Sequence, residues 1–174
     1  MELRKFTQIA MIAAIYTVLC LTPGLSAIAY GPVQVRIAEA LTLLPLLWKP
    51  SIWGITLGCF LSNLIGAATG INPTGFIDAV LGTLATFGAG WCTWKLKDKT
   101  VGGIPVWSCL MPVIFNFVIV GLELAVLFMP ENIVLGTLIN GSYVAIGELI
   151  AVVFGYLLIR ALSHTHIFKE GSSQ

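Results

Sequence analysis

The chain has 174 residues, 57% of them hydrophobic and 10% charged, with a mean hydropathy of +0.96 and a formal net charge of +1. That balance lies far from the composition of water-soluble globular domains, so water is not the main solvent and an all-α membrane protein is expected. With no basic block, phosphate recognition on a nucleic acid is excluded as well.

The first apolar run, residues 6–21, follows Arg4 and Lys5 and ends near Gly24-Leu25-Ser26-Ala27, a pattern that signal peptides share. The rest of the chain is equally apolar, and the run approaches the ~20 residues that cross ~30 Å of hydrocarbon. A retained membrane helix is therefore the simpler reading. Breaks at Pro, Gly and charge predict further helices over 36–48, 52–68, 76–94, 104–129 and 133–162, giving six transmembrane helices in a single domain, residues 1–174. The second is short for a full crossing, and the last two are long enough to project beyond the bilayer.

Basic loops stay in the cytoplasm during insertion. With the N-terminus inside, Arg4, Lys5, Lys49, Lys95, Lys97, Lys99, Arg160 and Lys169 all fall at cytoplasmic ends, leaving only Arg36 of the nine basic residues outside. Both termini are expected in the cytoplasm. Trp48, Trp53, Trp91, Trp94 and Trp107 fall at the same ends and read as an interfacial belt. Cys20, Cys59, Cys92 and Cys109 are scattered singly and read as small buried hydrophobes; His164-x-His166 reads as a solvated tail, so no metal site is expected.

Counting ~1.5 Å per residue from the segment ends assigns a depth to each polar side chain. Gln34, Arg36 and Glu39 fall at the outer start of the second helix, Asn63 in the outer half of the third, and Asp78 at the outer start of the fourth. Glu123 lies in the outer third of the fifth, Asn140 near the outer start of the sixth, and Glu148 near its middle. A carboxylate in hydrocarbon costs ~2.5 to 3.5 kcal/mol, so several at one depth are expected to share an outward-opening cavity closed below by apolar packing. That is the shape of a capture site for a small polar solute.

Arg36 and Glu39, three residues apart, can pair on one helix face, and a structural ion pair competes there with a ligand contact. Asn116 and Glu123 face one way, as do Asn140 and Glu148 to within roughly a quarter-turn, which places a site between the fifth and sixth helices. Hydrogen-bonding glue between helices, worth ~0.6 kcal/mol per bond, suits the Asn residues better than the Glu residues. The first helix has no acid within the membrane, and Ala10 and Ala14 with Ala13 beside them make a small-residue face that fits packing within the protein or docking of another membrane subunit. Catalytic, nucleotide-binding and cofactor motifs are absent from the sequence, so a transporter subunit rather than an enzyme is expected, with energy from a partner.

The stretch Tyr30-Gly31-Pro32-Val33-Gln34-Val35-Arg36-Ile37-Ala38-Glu39-Ala40-Leu41-Thr42-Leu43-Leu44-Pro45 closely resembles the QueT family of queuosine-precursor transporters. The resemblance continues through Asn72-Pro73-Thr74-Gly75-Phe76-Ile77-Asp78, Phe115-Asn116, Val120-Gly121-Leu122-Glu123-Leu124 and Gly147-Glu148, over nearly the whole chain. It implies a substrate-binding S component of an energy-coupling-factor importer in a bacterial-type plasma membrane. Its partners would be a transmembrane scaffold subunit and two ATPases, with Ala10 and Ala14 matching the motif that meets the scaffold. The implied ligand is a 7-deazaguanine such as preQ1, preQ0 or queuine. Its guanine edge presents two adjacent donors to one carboxylate, Glu148 or Glu123, and an aminomethyl cation wants a second, Asp78 or Glu39. Asn116, Asn140 and Gln34 would serve the carbonyl and ring nitrogens, and Tyr143 or Phe115 would stack on the base. An S component for another vitamin-like solute and a non-transporting membrane scaffold are the alternatives.

Overall fold

The structure, a computed structural model, describes residues 3–30 and 34–165. Residues 31–33 of the motif, His166 and Lys169 lie outside them. Among the described residues five helices are long and apolar enough to cross a membrane: α1 (Leu3–Leu21), α3 (Ser51–Ala68), α4 (Phe76–Lys95), α5 (Val106–Phe128) and α6 (Ile133–Ser163). A short helix α2 (Leu25–Ala29) begins after Gly24, whose φ of 88° suits a residue without a side chain. α6 has 31 residues, about 46 Å at ~1.5 Å per residue, so it outreaches the hydrocarbon as its sequence suggested.

The expected second membrane helix, 36–48, is instead a 3₁₀ segment of ten residues, Ile37–Leu46. Pro45 contributes toward its C-terminal end. In an α-helix its ring would press on the carbonyl four residues back, whereas bonds to the residue three back avoid that clash. At about 2.0 Å per residue the segment spans about 20 Å, short of the hydrocarbon thickness. It is not a perimeter helix. α1, α3, α4, α5 and α6 stand in that order, each against the next, and the 3₁₀ segment packs against all five.

Glycines set how closely these elements approach. Gly54 and Gly58 of α3 receive α1: a Cβ on Gly58 would lie 2.6 Å from the Tyr16 Cβ, and one on Gly54 would lie 2.9 Å from the Ile12 Cβ. α5 and α6 meet where a Cβ on Gly121 would lie 2.8 Å from the Gly141 Cα. A Cβ on Gly155 would lie 2.6 Å from the Ala40 carbonyl oxygen, so α6 lies directly on the 3₁₀ segment. Thr93 and Ser108 exchange hydroxyl-to-carbonyl hydrogen bonds of 3.0 and 2.9 Å that tie α4 to α5.

Below the polar residues the core is apolar, built on Ile12, Leu43, Leu44, Trp48, Ile55 and Val152. Trp48 is therefore buried in the core rather than part of an interfacial belt, because the turn after the 3₁₀ segment directs it inward. Trp53, Trp91 and Trp107 are exposed, with Trp94 half-buried. Lys49, Lys95, Lys97, Lys99 and Arg160 gather at the end of the bundle where α3 begins and α4 and α6 stop. Cys20, Cys59 and Cys109 are buried and Cys92 half-buried, all as free thiols.

Candidate functional site

At the opposite end, buried polar side chains from six elements converge. Three residues per 3₁₀ turn place Arg36, Glu39 and Thr42 along one line, about 6 Å between successive members, and all three are buried. Arg36 does not pair with Glu39. Its Nη2 donates to Asp78 Oδ2 on α4 at 2.7 Å, its Nε donates to the Ala29 carbonyl at 3.4 Å, and its guanidinium lies 5.0 Å from the centre of the Tyr30 ring. Glu39 instead accepts from the Tyr16 hydroxyl of α1 through Oε1. The local pair expected from the spacing is replaced because the 3₁₀ segment is surrounded, and each charge finds a partner on a different neighbour.

Asp78 is held on several sides. Besides Arg36, its Oδ2 accepts from Asn72 Nδ2 at 3.0 Å, and its backbone carbonyl accepts from Asn63 Nδ2 at 3.0 Å. Asn72 is fixed in turn by the Thr74 amide and hydroxyl, at 3.1 and 2.7 Å from its Oδ1. Gly82 is required here, because a Cβ would collide with Asp78 Oδ1 and approach Asn63 Nδ2 to 3.0 Å.

The remaining acids differ. Both carboxylate oxygens of Glu123, Oε2 of Glu148, Oε2 of Glu39, Oδ1 of Asp78 and Nδ2 of Asn116 are buried and have no hydrogen-bond partner among the described residues. Thr74 stands near Glu123 but directs its hydroxyl to Asn72, and Thr86 stands near Glu39 but directs its own to Cys59 Sγ at 3.3 Å. Asp78 and Arg36 lie within electrostatic reach of Glu123, and Glu39 and Arg36 within reach of Glu148. Arg36 thus lies within electrostatic reach of all four acids, Asp78, Glu123, Glu39 and Glu148. Four buried carboxylates around one guanidinium, with oxygens unpaired, form a donor-seeking surface, because an unpartnered buried acceptor costs ~1 to 3 kcal/mol and more when charged.

Other expected site residues are placed differently. Gln34 is buried, and its carbonyl passes so close to α6 that a Cβ on Gly147 would collide with it. Asn140 is half-buried and donates to the Gly136 carbonyl of its own helix at 2.9 Å and toward Met129 Sδ at 3.8 Å. Tyr143 is 48% exposed on the outer face of α6, about 140° around the helix from Glu148, so it does not reach the acids. Phe115 packs against Gly88 of α4. α5 and α6 touch backbone to backbone at Gly121 and Gly141, and the buried acids they carry, Glu123 and Glu148, fall in the cluster within electrostatic reach of Arg36.

Among the described residues the acids lie closed in. The four acids are at most 3% exposed, and a cavity of about 560 Å³ lies at the lysine end, away from them. In this conformation the cluster is closed over. Tyr16, Tyr30, Asn72 and Thr74 join the site without having been assigned to it from the sequence. Tyr16 carries a legible signal, since a hydroxyl in an otherwise apolar membrane helix has to find a partner. Ala10 and Ala14 are exposed on the outer face of α1 with Met11, Ile15 and Val18, while Ala13 is buried toward α3.

Comparison with known proteins adds three findings. A family model described as QueT transporter matches residues 6–164. The queuosine precursor transporter QueT of Lactococcus lactis subsp. cremoris (strain MG1363) is 40% identical over 78 residues, covering 45% of this chain and 42% of that protein's length. No solved structure matches the chain.

Proposed function

The chain belongs to the QueT transporter family, and from that premise we propose that this multi-pass membrane protein captures a queuosine precursor from outside the cell for an ATP-driven importer. The observation that carries the reading is the set of unpartnered polar atoms on Glu39, Asn116, Glu123 and Glu148, buried in a membrane-embedded bundle. A 7-deazaguanine matches them. Its N1–H and 2-amino group are adjacent donors that one carboxylate accepts together, and Glu123 or Glu148 fills that role. Glu39 meets the aminomethyl cation of preQ1, since Asp78 is engaged by Arg36 and Asn72. Asn116 serves the ligand's carbonyl.

In this reading the 3₁₀ segment supplies a sixth, central membrane element and both termini are cytoplasmic, with the lysine end inside. Energy comes from two ATPases through a scaffold subunit, which docks on the exposed face of α1 at Ala10 and Ala14. The test is the thermal shift of the detergent-purified protein with preQ1, preQ0, queuine, guanine and riboflavin, since a ligand at ~100 times its Kd stabilises by ~2.7 kcal/mol. A response confined to deazaguanines is expected. A response to riboflavin alone, or to none of the five by a folded sample, overturns the assignment.

A further inference from the structure

At the lysine end the bundle carries a second arrangement that solute capture does not use. Lys49 borders two hollows. One, about 560 Å³, lies between the turn after the 3₁₀ segment and the ends of α4 and α6, and includes Trp94, Lys97 and Ser163 in its lining. The other, about 180 Å³, is a cleft between α1, α3 and α4 walled by Ile9, Ile52, Trp53, Phe87 and Trp91. Lys49 and Pro50 line both. Among the described residues neither lining contains an acid, and Asp98 belongs to an adjoining hollow together with Arg160.

Lys49 is exposed at this end, and its Nζ lies 3.9 Å from the Trp94 ring centre and 5.6 Å from that of Trp91, which places the ammonium where the larger hollow meets the apolar cleft. Trp53, Phe87 and Trp91 continue from it as a row of rings 5.8 and 6.2 Å apart. Two ammonium groups with an apolar slot leading away from one of them fit an anion that carries a hydrocarbon tail. We propose that Lys49 and Lys97 bind the phosphate of an anionic phospholipid, with an acyl chain in the cleft between Ile9, Trp53 and Trp91. Inorganic phosphate shares the headgroup chemistry but leaves the cleft without a role. A lipid seated here touches α1, α3 and α4 together and stiffens the placement of α1 at its basic end.

The test is native mass spectrometry of the full chain from neutral detergent, titrated with phosphatidylglycerol, phosphatidylcholine and, separately, inorganic phosphate. Phosphatidylglycerol is expected to bind best, with Lys49→Gln and Lys97→Gln each weakening it about fivefold, the factor expected per basic residue at an anionic surface. Lys99→Gln, outside both hollows, is expected to leave it unchanged. Narrowing the cleft with Ile9→Trp, at a half-buried wall position, should weaken the lipid without affecting any phosphate binding. Equal binding of the two lipids, equal loss in Lys99→Gln, or displacement of the lipid by millimolar phosphate would each overturn the proposal, and none of these readouts depends on the deazaguanine assignment.

Discussion

Asp78 and Glu123 are both carboxylates, both buried and both within reach of Arg36, yet they sit in opposite chemical situations. Asp78 accepts from a guanidinium and a side-chain amide on one oxygen and is anchored through its backbone by Asn63. Glu123 accepts from nothing among the described residues. The first arrangement is what a buried charge needs for structure, and the second is what a binding site looks like when its complement is a separate molecule. Burial of an acid in a membrane bundle therefore does not reveal its role; the state of its oxygens does.

The largest effect should come from breaking the ion-paired corner. Asp78→Ala leaves the Arg36 guanidinium buried without a counter-ion, and a loss of about 3 to 5 kcal/mol is expected, read as a collapse of thermal stability in detergent with or without ligand. Glu123→Gln and Glu148→Gln should do the reverse. Ligand affinity should fall roughly 10- to 100-fold, the worth of a charge-assisted hydrogen bond, while the ligand-free melting temperature holds or rises. Destabilised Gln variants with unchanged affinity would erase the distinction between the two corners.

Gly147→Ala lies between the two extremes. Its Cβ collides with the Gln34 carbonyl and pushes the segment bearing Arg36 away from Glu148, so about 1 to 3 kcal/mol of stability and much of the binding should go together. Tyr16→Phe removes the donor to Glu39 while keeping the ring, and should cost ~1 kcal/mol by thermal unfolding. Tyr143→Phe, on the outer face, should change stability by less than ~0.5 kcal/mol and leave ligand affinity at wild-type level. A Tyr143 variant that lost binding would return that ring to the site and require α6 to be turned.

Which residues form the cluster is largely legible in the sequence, because ionisable groups in apolar helices are costly and few, so Arg36, Glu39, Asp78, Glu123 and Glu148 stand out. How they pair is not. Arg36 and Asp78 are 42 positions apart, and nothing in either helix's periodicity says which acid the guanidinium will choose. Tyr143 is misleading for a simpler reason: five residues from Glu148 is over a third of a turn away, and sharing a depth is not sharing a face. The five long helices are legible from apolar length alone, with boundaries within a few residues. The 3₁₀ segment is not, since its apolar content fits an α-helix equally well, and Pro45 with the surrounding glycines decides against it.

That segment has a mechanical consequence. A 3₁₀ run turns about 120° per residue where an α-helix turns about 100°, and it is about 0.5 Å longer per residue, with poorer internal hydrogen bonds. The aim of Glu39 is therefore not stiffened by the element it stands on. It is clamped from outside, by Tyr16 on α1 at its tip and by Gly155 of α6 against the backbone of Ala40, one residue further on. The site's rigidity is borrowed from its walls, so a force that loosens α1 or α6 at a distance loosens the carboxylate as well.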